Sequence, residues 1–387
     1  MAAASLPLHG VGVLMGAHPF SWALPAVAPL WLVLGACGLD RLVGDPRWCL
    51  HPVVVMGWWI SRLRPLAEAG AGNRPWRLRL AGVLITLLLV GGSGLVGWGL
   101  EQLALSAAAR AAGAVSGGTD PLALPLALLA GLALLMALAS ALAGRSLEQA
   151  VQAVLEPLAA GDLPLARQRL GWIVGRDTAA LDGAEILRAA AETASENAVD
   201  GLFAPLFWML VGAGLWSAGA LAGPGPLALA WGFKAASTLD SMLGYRRGTL
   251  RWLGTAGARL DDLLVWLPCR LVLLTLPLVA GAGPRQAWRQ IQAARRDGAA
   301  DPSPNAGRSQ AAYAQAVGVQ LGGANHYGGE TRRKPLLAAG AAAVSTAAVG
   351  RILQLSGRLE LLWLLLAALP LALRLLAALL LPAAPLQ

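Results

Sequence analysis

Residues 80–100, LAGVLITLLLVGGSGLVGWGL, decide the fold class of this chain. The stretch contains no charged residue, and about 18 to 20 apolar residues are enough to cross a bilayer as one helix. Apolar stretches at four other places predict further membrane helices: residues 24–39, 122–144, 204–223 and 263–282. Residues 361–381 predict one more near the C-terminus, whereas residues 336–350 form a short, alanine-rich and weaker candidate.

The composition of the whole chain agrees with a membrane location. Of 387 residues, 57% are hydrophobic and 13% are charged, whereas soluble domains contain about 25% charged residues. The three cysteines, Cys37, Cys49 and Cys269, have no CxxC spacing and predict neither a disulfide framework nor a zinc site. We therefore predict an all-α integral membrane protein, a polytopic helical bundle.

Basic residues in the connecting segments predict the orientation of the helices. Residues 40–79 contain seven arginines, residues 101–120 contain only Arg110, and residues 145–203 contain five arginines. The positive-inside rule counts Lys and Arg, so it places residues 40–79 and 145–203 in the cytoplasm and the N-terminus outside. Residues 234–259 and 285–334 are both basic as well, which conflicts with one crossing between them. A helical hairpin of 204–223 with 227–236, or a return of the proline-containing 263–282 within the membrane, stays open.

Lys and Arg in cytoplasmic connecting segments also explain the net charge of +9. Nucleic-acid binding is not indicated, because the sequence has no basic run with interleaved aromatic residues. Residues 1–22 contain no lysine or arginine and therefore lack the basic start of a secretory signal. We predict three regions: an N-terminal leader at 1–22, a membrane-embedded catalytic domain at 23–335, and C-terminal membrane helices at 336–387.

The first of four polar segments follows the first apolar stretch and reads LDRLVGDP at residues 39–46, then His51-Pro52. Gly-Asp-Pro and His-Pro sequences favour turns and extended backbone. Two interpretations stay open. The segment is either a structured cap after a membrane helix or a loop that presents Asp40, Asp45 and His51 to a ligand.

The second segment starts with VGRDT at residues 174–178 and continues as a predicted helix. Its polar residues recur along one stripe at helical spacing: Glu185, Arg188, Glu192, Ser195, Glu196 and Asp200. A solvated face with ion pairs between successive turns is one interpretation. A binding site is the other, because a helix start capped by Asp177 or Thr178 beside Arg176 suits phosphate, and nearby carboxylates suit Mg²⁺.

The third segment reads FKAASTLDSMLGY at residues 233–245 and is followed by ARLDD at 258–262. Lys234 lies in an apolar stretch, where an ionisable group indicates function unless its amine reaches the membrane surface. The adjacent carboxylates of Asp261 and Asp262 repel each other, and a divalent cation would offset that repulsion.

The fourth segment reads SPNAG at residues 303–307, which predicts a turn that starts a helix, and a glycine-rich stretch follows at 318–323. The glycines would let the backbone approach a ligand closely. The chain contains no Walker A loop, dinucleotide fingerprint, nucleophile elbow or HExxH motif. Any use of ATP would therefore not involve a P-loop.

In this order, the four segments resemble the adenosylcobinamide-phosphate synthase family of cobalamin biosynthesis. The most specific blocks are ENAVDG at 196–201, TLDSM at 238–242 and SPNAG at 303–307. The resemblance implies a membrane ligase that uses ATP and Mg²⁺ to join adenosylcobyric acid to (R)-1-aminopropan-2-ol O-phosphate, or to free aminopropanol, through an amide. It also implies a multi-pass protein of the cell inner membrane, an active site formed by cytoplasmic helical and loop segments, and other membrane enzymes of the pathway as partners.

Amide formation from a carboxylate requires activation, positioning of the reactants and neutralisation of phosphate charge. We predict that the Mg²⁺ ligands and the base that deprotonates the amine come from one pool of carboxylates, with Asp261 and Asp262 assigned to the metal and four others to catalysis: Glu192, Glu196, Asp200 and Asp240. The predicted phosphate- and substrate-binding residues are Asp45, His51, Arg176, Asp177, Asn197, Lys234, Arg259 and Asn305. The residue that acts as base stays unassigned.

Two other functions remain as alternatives to the ligase. The Asp261-Asp262 pair superficially suits a membrane Mg²⁺-dependent transferase, but no DDxxD motif or second spaced acidic pair follows it. A transporter would place charges deep in paired broken helices, whereas the charges here concentrate in the connecting segments.

Overall fold

The computed structural model describes residues 23–45 and 51–380, so the predicted leader at 1–22 lies outside the described residues. Helices make up almost all of the regular structure in these ranges, which confirms the predicted all-α fold class. In chain order the helices are α1 Ala23–Val43, α2 Pro52–Ala71, α3 Pro75–Val115, α4 Ala123–Ala139, α5 Gly144–Ala159, α6 Leu163–Gly171, α7 Gly183–Ala198, α8 Ala204–Ser217, α9 Pro226–Leu243, α10 Leu250–Leu253, α11 Thr255–Val279, α12 Pro284–Asp297, α13 Ala306–Val317 and α14 Thr346–Leu380.

Four continuous helical segments of the described chain are long and apolar enough to cross a membrane. They are Pro75–Val115, Gly183–Ser217, Thr255–Val279 and Thr346–Pro370. A fifth span results if α4 and α5, which meet at a bend of 44°, are taken as one. In the second segment α7 joins α8 through one turn of π-helix at Val199–Phe203.

Two possibilities that the sequence left open for these spans do not match the structure. The prolines of residues 263–282 do not break the membrane helix, because α11 continues through Pro268 and Pro277. Both prolines are buried against neighbouring helices, and such packing lets membrane helices tolerate proline. Residues 336–350 do not form a helix of their own, since they include the end of a strand and a loop before α14 starts at Thr346.

An antiparallel β-hairpin joins α13 to α14, where the sequence analysis predicted no strand. Strand β1 covers Leu321–Tyr327 and β2 covers Glu330–Leu337. Gly328 and Gly329 form the two-residue turn, with φ of 57° and 82°. Positive φ at both positions is the geometry of a type I′ hairpin turn, which glycine adopts without strain.

Close helix contacts position the central elements. The alternative of a helical hairpin at 204–236 is confirmed, since α8 and α9 pack against each other. Helix α9 also packs along α3, where a Cβ on Gly97 would lie 2.9 Å from the Cα of Ala228. Helix α7 lies in the core, with the side chains of Ile186, Ala190 and Ala194 fully buried. Small residues such as Ala190 and Ala194 allow the close approach of membrane helices.

Candidate active site

A polar cavity of about 470 Å³ lies where several helices meet. Its charged residues are Asp200 from the π-turn, Lys234 and Asp240 from α9, and Asp261 from α11. Uncharged residues complete its wall: Val53, Gly57, Ala143, Leu147, Asn197, Gly201, Ser237, Thr238, Ser241 and Met242. The four charged residues and Asn197 were all proposed in the sequence analysis. The structure therefore brings together five predicted residues from separate segments.

Local backbone geometry explains how these side chains reach the cavity. Asp200 lies in the π-turn between α7 and α8, and a turn of this kind shifts the helix face that follows it, often at functional sites. Ser237, Thr238 and Ser241 lie three, four and seven residues after Lys234 on α9, so all four share one face of that helix. Asp261 lies near the start of α11, six residues after the helix begins at Thr255.

The charges around the cavity act on one another. Asp200 interacts electrostatically with Asp261, Glu196 and Asp240. Lys234 is the cation that faces this group, and Asp45 and Asp40 also attract it. Within the described chain the Lys234 ammonium makes no ion pair at contact distance. The site thus holds an excess of carboxylates and a lysine whose amine is available to a ligand.

Asp45 and His51 border the cavity as parts of a structured cap. His51 is the N-cap of α2, where its Nδ1 accepts a hydrogen bond from Val53 N–H. Asp45 accepts hydrogen bonds from Ser146 Oγ at 2.6 Å and pairs with His51 Nε2 at 3.1 Å. Partial burial opposes ionisation of Asp45, but the hydrogen bonds from His51 and Ser146 outweigh it and lower the pKa of that carboxyl.

Asp40 also has a structural partner, because its Oδ2 accepts the N–H groups of Gly144 and Arg145 at the start of α5. Of the two interpretations of residues 39–51, the contacts of Asp40 and His51 match a cap. Asp45 combines both features, since it is hydrogen-bonded in the cap and also attracts Lys234.

Glu196 lies beside the cavity, between it and the β-hairpin. Gln310 Nε2 donates a hydrogen bond to Glu196 Oε2 at 2.6 Å. Lys334 of β2 pairs with Asp301 at 3.8 Å and attracts Glu196. Burial opposes the charge of Lys334, but attraction to Glu196 and Asp301 outweighs burial and raises the pKa of the amine. The sequence analysis proposed neither Lys334 nor Gln310.

Arg176, Asp177 and Glu192 anchor the β-hairpin and do not line the cavity. Glu192 is 1% exposed and pairs with both Arg176 and Arg188. Its Oε1 also accepts the N–H of Gly322 at 2.9 Å. Asp177 accepts the N–H of Gly329 at 3.0 Å, and backbone hydrogen bonds of this kind lower the pKa of the Asp177 carboxyl.

Arg259, Asp262 and Asn305 lie outside the cavity lining as well. Asn305 connects α13 to α11, since its Nδ2 donates to the carbonyl of Asp262 at 2.8 Å and its Oδ1 accepts from Arg270. Arg259 is exposed on α11. Consecutive helical residues point about 100° apart, so Asp261 and Asp262 do not present their carboxylates to one point.

No group of three or more His, Cys, Asp or Glu side chains in residues 23–45 and 51–380 has an arrangement that could hold a metal ion by itself. The cavity nevertheless fits a hard cation that brings other ligands. One oxygen of Asp261, Oδ1, is buried and has no hydrogen-bond partner in the described chain. Mg²⁺ commonly takes one or two carboxylates and completes its shell with phosphate oxygens and water.

Comparison with known proteins identifies the family of the chain. A family model described as "CobD/Cbib protein" matches residues 33–356. The chain belongs to the CobD/CbiB family. The matched range contains every charged residue of the cavity, together with Asp45, Glu196 and Lys334.

Curated relatives in the CobD/CbiB family align over most of their length. The cobalamin biosynthesis protein CobD of Synechocystis sp. is 41% identical over 345 residues, 88% of this chain and 92% of the relative. The CobD protein of Geobacter metallireducens is 40% identical over 309 residues, covering 79% and 85%. The cobalamin biosynthesis protein CbiB of Salmonella typhi is 36% identical over 322 residues, covering 82% and 89%. No solved structure matches the chain.

Proposed function

We propose that this protein acts in cobalamin biosynthesis as an ATP-dependent ligase. It would join adenosylcobyric acid to (R)-1-aminopropan-2-ol O-phosphate and release adenosylcobinamide phosphate. The relatives named as cobalamin biosynthesis proteins support the pathway. The main structural support is the convergence of Asp200, Asp240, Asp261 and Lys234 on one cavity.

The proposed reaction has two steps. In the first, a carboxylate oxygen of the corrinoid attacks the γ-phosphorus of ATP, giving an acyl phosphate and ADP. In the second, the neutral amine attacks the acyl carbon, the carbon–oxygen bond to phosphate breaks, and inorganic phosphate leaves. The amine loses one proton to a carboxylate base, for which Asp200, Asp240 and Glu196 are the candidates.

The remaining side chains have positioning and charge-neutralising roles in this proposal. Lys234 would contact a phosphate group, because its ammonium faces the cavity without an ion pair in the described residues. Asp261, whose Oδ1 has no hydrogen-bond partner in the described chain, would hold Mg²⁺, which neutralises phosphate charge when bound. Asn197, which is exposed at the cavity wall, would orient the substrate through hydrogen bonds.

The site would face the cytoplasm from the cell inner membrane. Val53 and Gly57 come from residues 40–79, and Leu147 comes from residues 145–203. Both segments contain several arginines, so the positive-inside rule assigns them to the cytoplasm. Other membrane enzymes that handle the bulky corrinoid would be its partners in this setting.

The decisive experiment supplies the purified full-length protein with adenosylcobyric acid, ATP, Mg²⁺ and the aminoalcohol phosphate. We expect one corrinoid amide and one ADP for each aminoalcohol consumed. Omission of either ATP or Mg²⁺ should stop amide formation. Replacing the phosphate ester with free aminopropanol tests which amine is the substrate.

The same assay separates the rival functions. A transferase would consume a different acceptor and leave the corrinoid acid unchanged, and a transporter would move the corrinoid across vesicles without forming the amide. Absence of the amide with every amine, in protein that is monodisperse and membrane-inserted, would contradict the ligase.

A further inference from the structure

A second polar pocket, of about 370 Å³, lies outside the candidate active site. Three helices build it: α11, α12 and α13. Its lining shares no residue with the polar cavity and consists of Trp266, Arg270, Leu273, Leu274, Arg295 and Arg308. The pocket therefore has three guanidinium groups and otherwise apolar walls, and the proposed ligase reaction uses none of these residues.

The three guanidinium groups have no compensating carboxylate. Within the part of the chain that the structure describes, neither Arg270, Arg295 nor Arg308 forms an ion pair. Arg270 and Arg308 repel each other electrostatically. Like charges held together in a partly buried pocket are unfavourable, and a bound anion would remove that cost.

Hydrogen bonds fix two of the three guanidinium groups in place. Both Arg270 and Arg308 donate to the carbonyl oxygen of Pro304, at 3.0 and 2.5 Å. Arg270 also donates to Asn305 Oδ1 and lies over the ring of Trp266, 4.6 Å from its centroid. Arg295 makes no hydrogen bond in the described residues, so all its donors are available. A planar guanidinium that is held in position suits the oxygens of a phosphate group.

The walls of the pocket indicate that the anion also carries an apolar part. Trp266 and Leu274 are each 50% exposed, and Leu267 and Leu278 extend an exposed apolar stripe along α11. Helix α11 is apolar enough to cross a membrane, so this stripe would contact acyl chains. Arginine side chains keep their charged ends in polar surroundings while their stems lie along apolar surface, so these guanidinium groups can extend toward lipid headgroups.

We propose that this pocket binds the phosphate of an anionic phospholipid, with the acyl chains lying against the exposed apolar stripe of α11. Basic pockets beside membrane helices commonly bind anionic headgroups. Asn305 connects the pocket to the part of α11 near the candidate active site. Its side chain accepts a hydrogen bond from Arg270 in the pocket and donates one to the carbonyl of Asp262, next to Asp261. A bound lipid would therefore stabilise the start of α13 against α11.

The test compares two double variants of the full-length protein. Arg295→Gln with Arg308→Gln removes two charges from the pocket. Arg285→Gln with Arg289→Gln removes two charges from exposed positions of α12 outside the pocket and is the matched control. Each protein is equilibrated in detergent with equal amounts of phosphatidylglycerol and phosphatidylcholine, and the retained lipid is quantified by native mass spectrometry.

We expect the wild type and the control to retain phosphatidylglycerol in preference to phosphatidylcholine. The pocket variant should bind phosphatidylglycerol at least about tenfold more weakly, because it loses two charge-assisted contacts to phosphate. Equal retention by the pocket variant and the control would overturn the proposal. If the double variant is not monodisperse, Arg295→Gln alone serves, since it breaks no hydrogen bond, and unchanged lipid retention would again overturn the proposal.

A further arm distinguishes a lipid from a soluble phosphate. Millimolar inorganic phosphate is added to the wild type that has been loaded with phosphatidylglycerol. Lipid that stays bound supports a site for an amphiphile. Displacement of the lipid by inorganic phosphate would overturn the assignment to phospholipid and identify a site for a free phosphate.

Discussion

Replacing Glu101 should detach the start of α9 from α3 and destabilise the fold. Glu101 is fully buried, and its carboxylate accepts the N–H groups of Gly225 at 2.9 Å, Leu227 at 2.6 Å and Ala228 at 3.2 Å. Proline at position 226 has no N–H. One carboxylate therefore satisfies every free N–H in the first turn of the helix that carries Lys234.

The size of the effect follows from these contacts. Each buried N–H that loses its partner costs about 1–3 kcal/mol, and the costs are not additive. We expect Glu101→Ala to lower the free energy of unfolding by about 3–5 kcal/mol. Glu101→Gln keeps the oxygen that serves Leu227 and Ala228 and turns an amide toward Gly225, so the loss should be about 1–3 kcal/mol.

The assay is equilibrium unfolding of the purified protein in mixed micelles, followed by tryptophan fluorescence, together with hydrogen exchange of the start of α9. Glu156→Gln is the control, because Glu156 is an exposed carboxylate of α5. Its effect should stay within about 0.5 kcal/mol. Stability of Glu101→Ala equal to that of this control, with unchanged exchange at α9, would refute the reasoning.

Three further predictions test other parts of the structure. Gly97→Leu should cost about 1–3 kcal/mol or prevent folding, because its Cβ alone would lie 2.9 Å from Ala228 Cα; the yield of monodisperse protein measures this. Glu192→Ala leaves two paired arginines without their carboxylate, so it should cost about 3–5 kcal/mol and expose the hairpin turn to limited proteolysis. The folded-state pKa of Asp45 is lowered, so its stabilisation is present above the ordinary value of 3.8 and is lost as pH falls through the folded value. The stability difference between wild type and Asp45→Asn should therefore shrink below about pH 3.8.

The membrane helices and part of the candidate site were predictable from the sequence. Long uncharged stretches such as residues 80–100 require a helix in lipid, and α3 contains this one. Charged residues within apolar membrane stretches cost free energy, so their presence there indicates a functional site. Lys234 was proposed on this basis, and it lines the cavity together with Asp240 and Asp261 from the predicted pool of carboxylates.

The partners of the second polar segment could not be predicted, because they lie far away in the chain. Arg176 donates to Asn325, which is 149 residues further along. The hairpin that carries Asn325 was missed because β1 contains two glycines and no alternation of apolar residues. The Gly328-Gly329 pair was the available signal, since two glycines between strands favour a type I′ turn.

The sequence also could not predict which carboxylate side chains point into the cavity. Helical spacing groups residues into stripes, but only packing decides which stripe faces a cavity. Asp261 lines the cavity while its neighbour Asp262 does not. Lys334 could not be predicted either, because the β-hairpin that brings it near Glu196 was not predicted.

The central claim is that carboxylates from separate segments form one catalytic site at the polar cavity. Its most direct test is the rate of corrinoid amide formation by Asp261→Asn, compared with the wild type and with Glu156→Gln. We predict that Asp261→Asn inserts into the membrane normally and forms the amide at least about 100-fold more slowly, while the control keeps the wild-type rate. A wild-type rate for Asp261→Asn would contradict the claim.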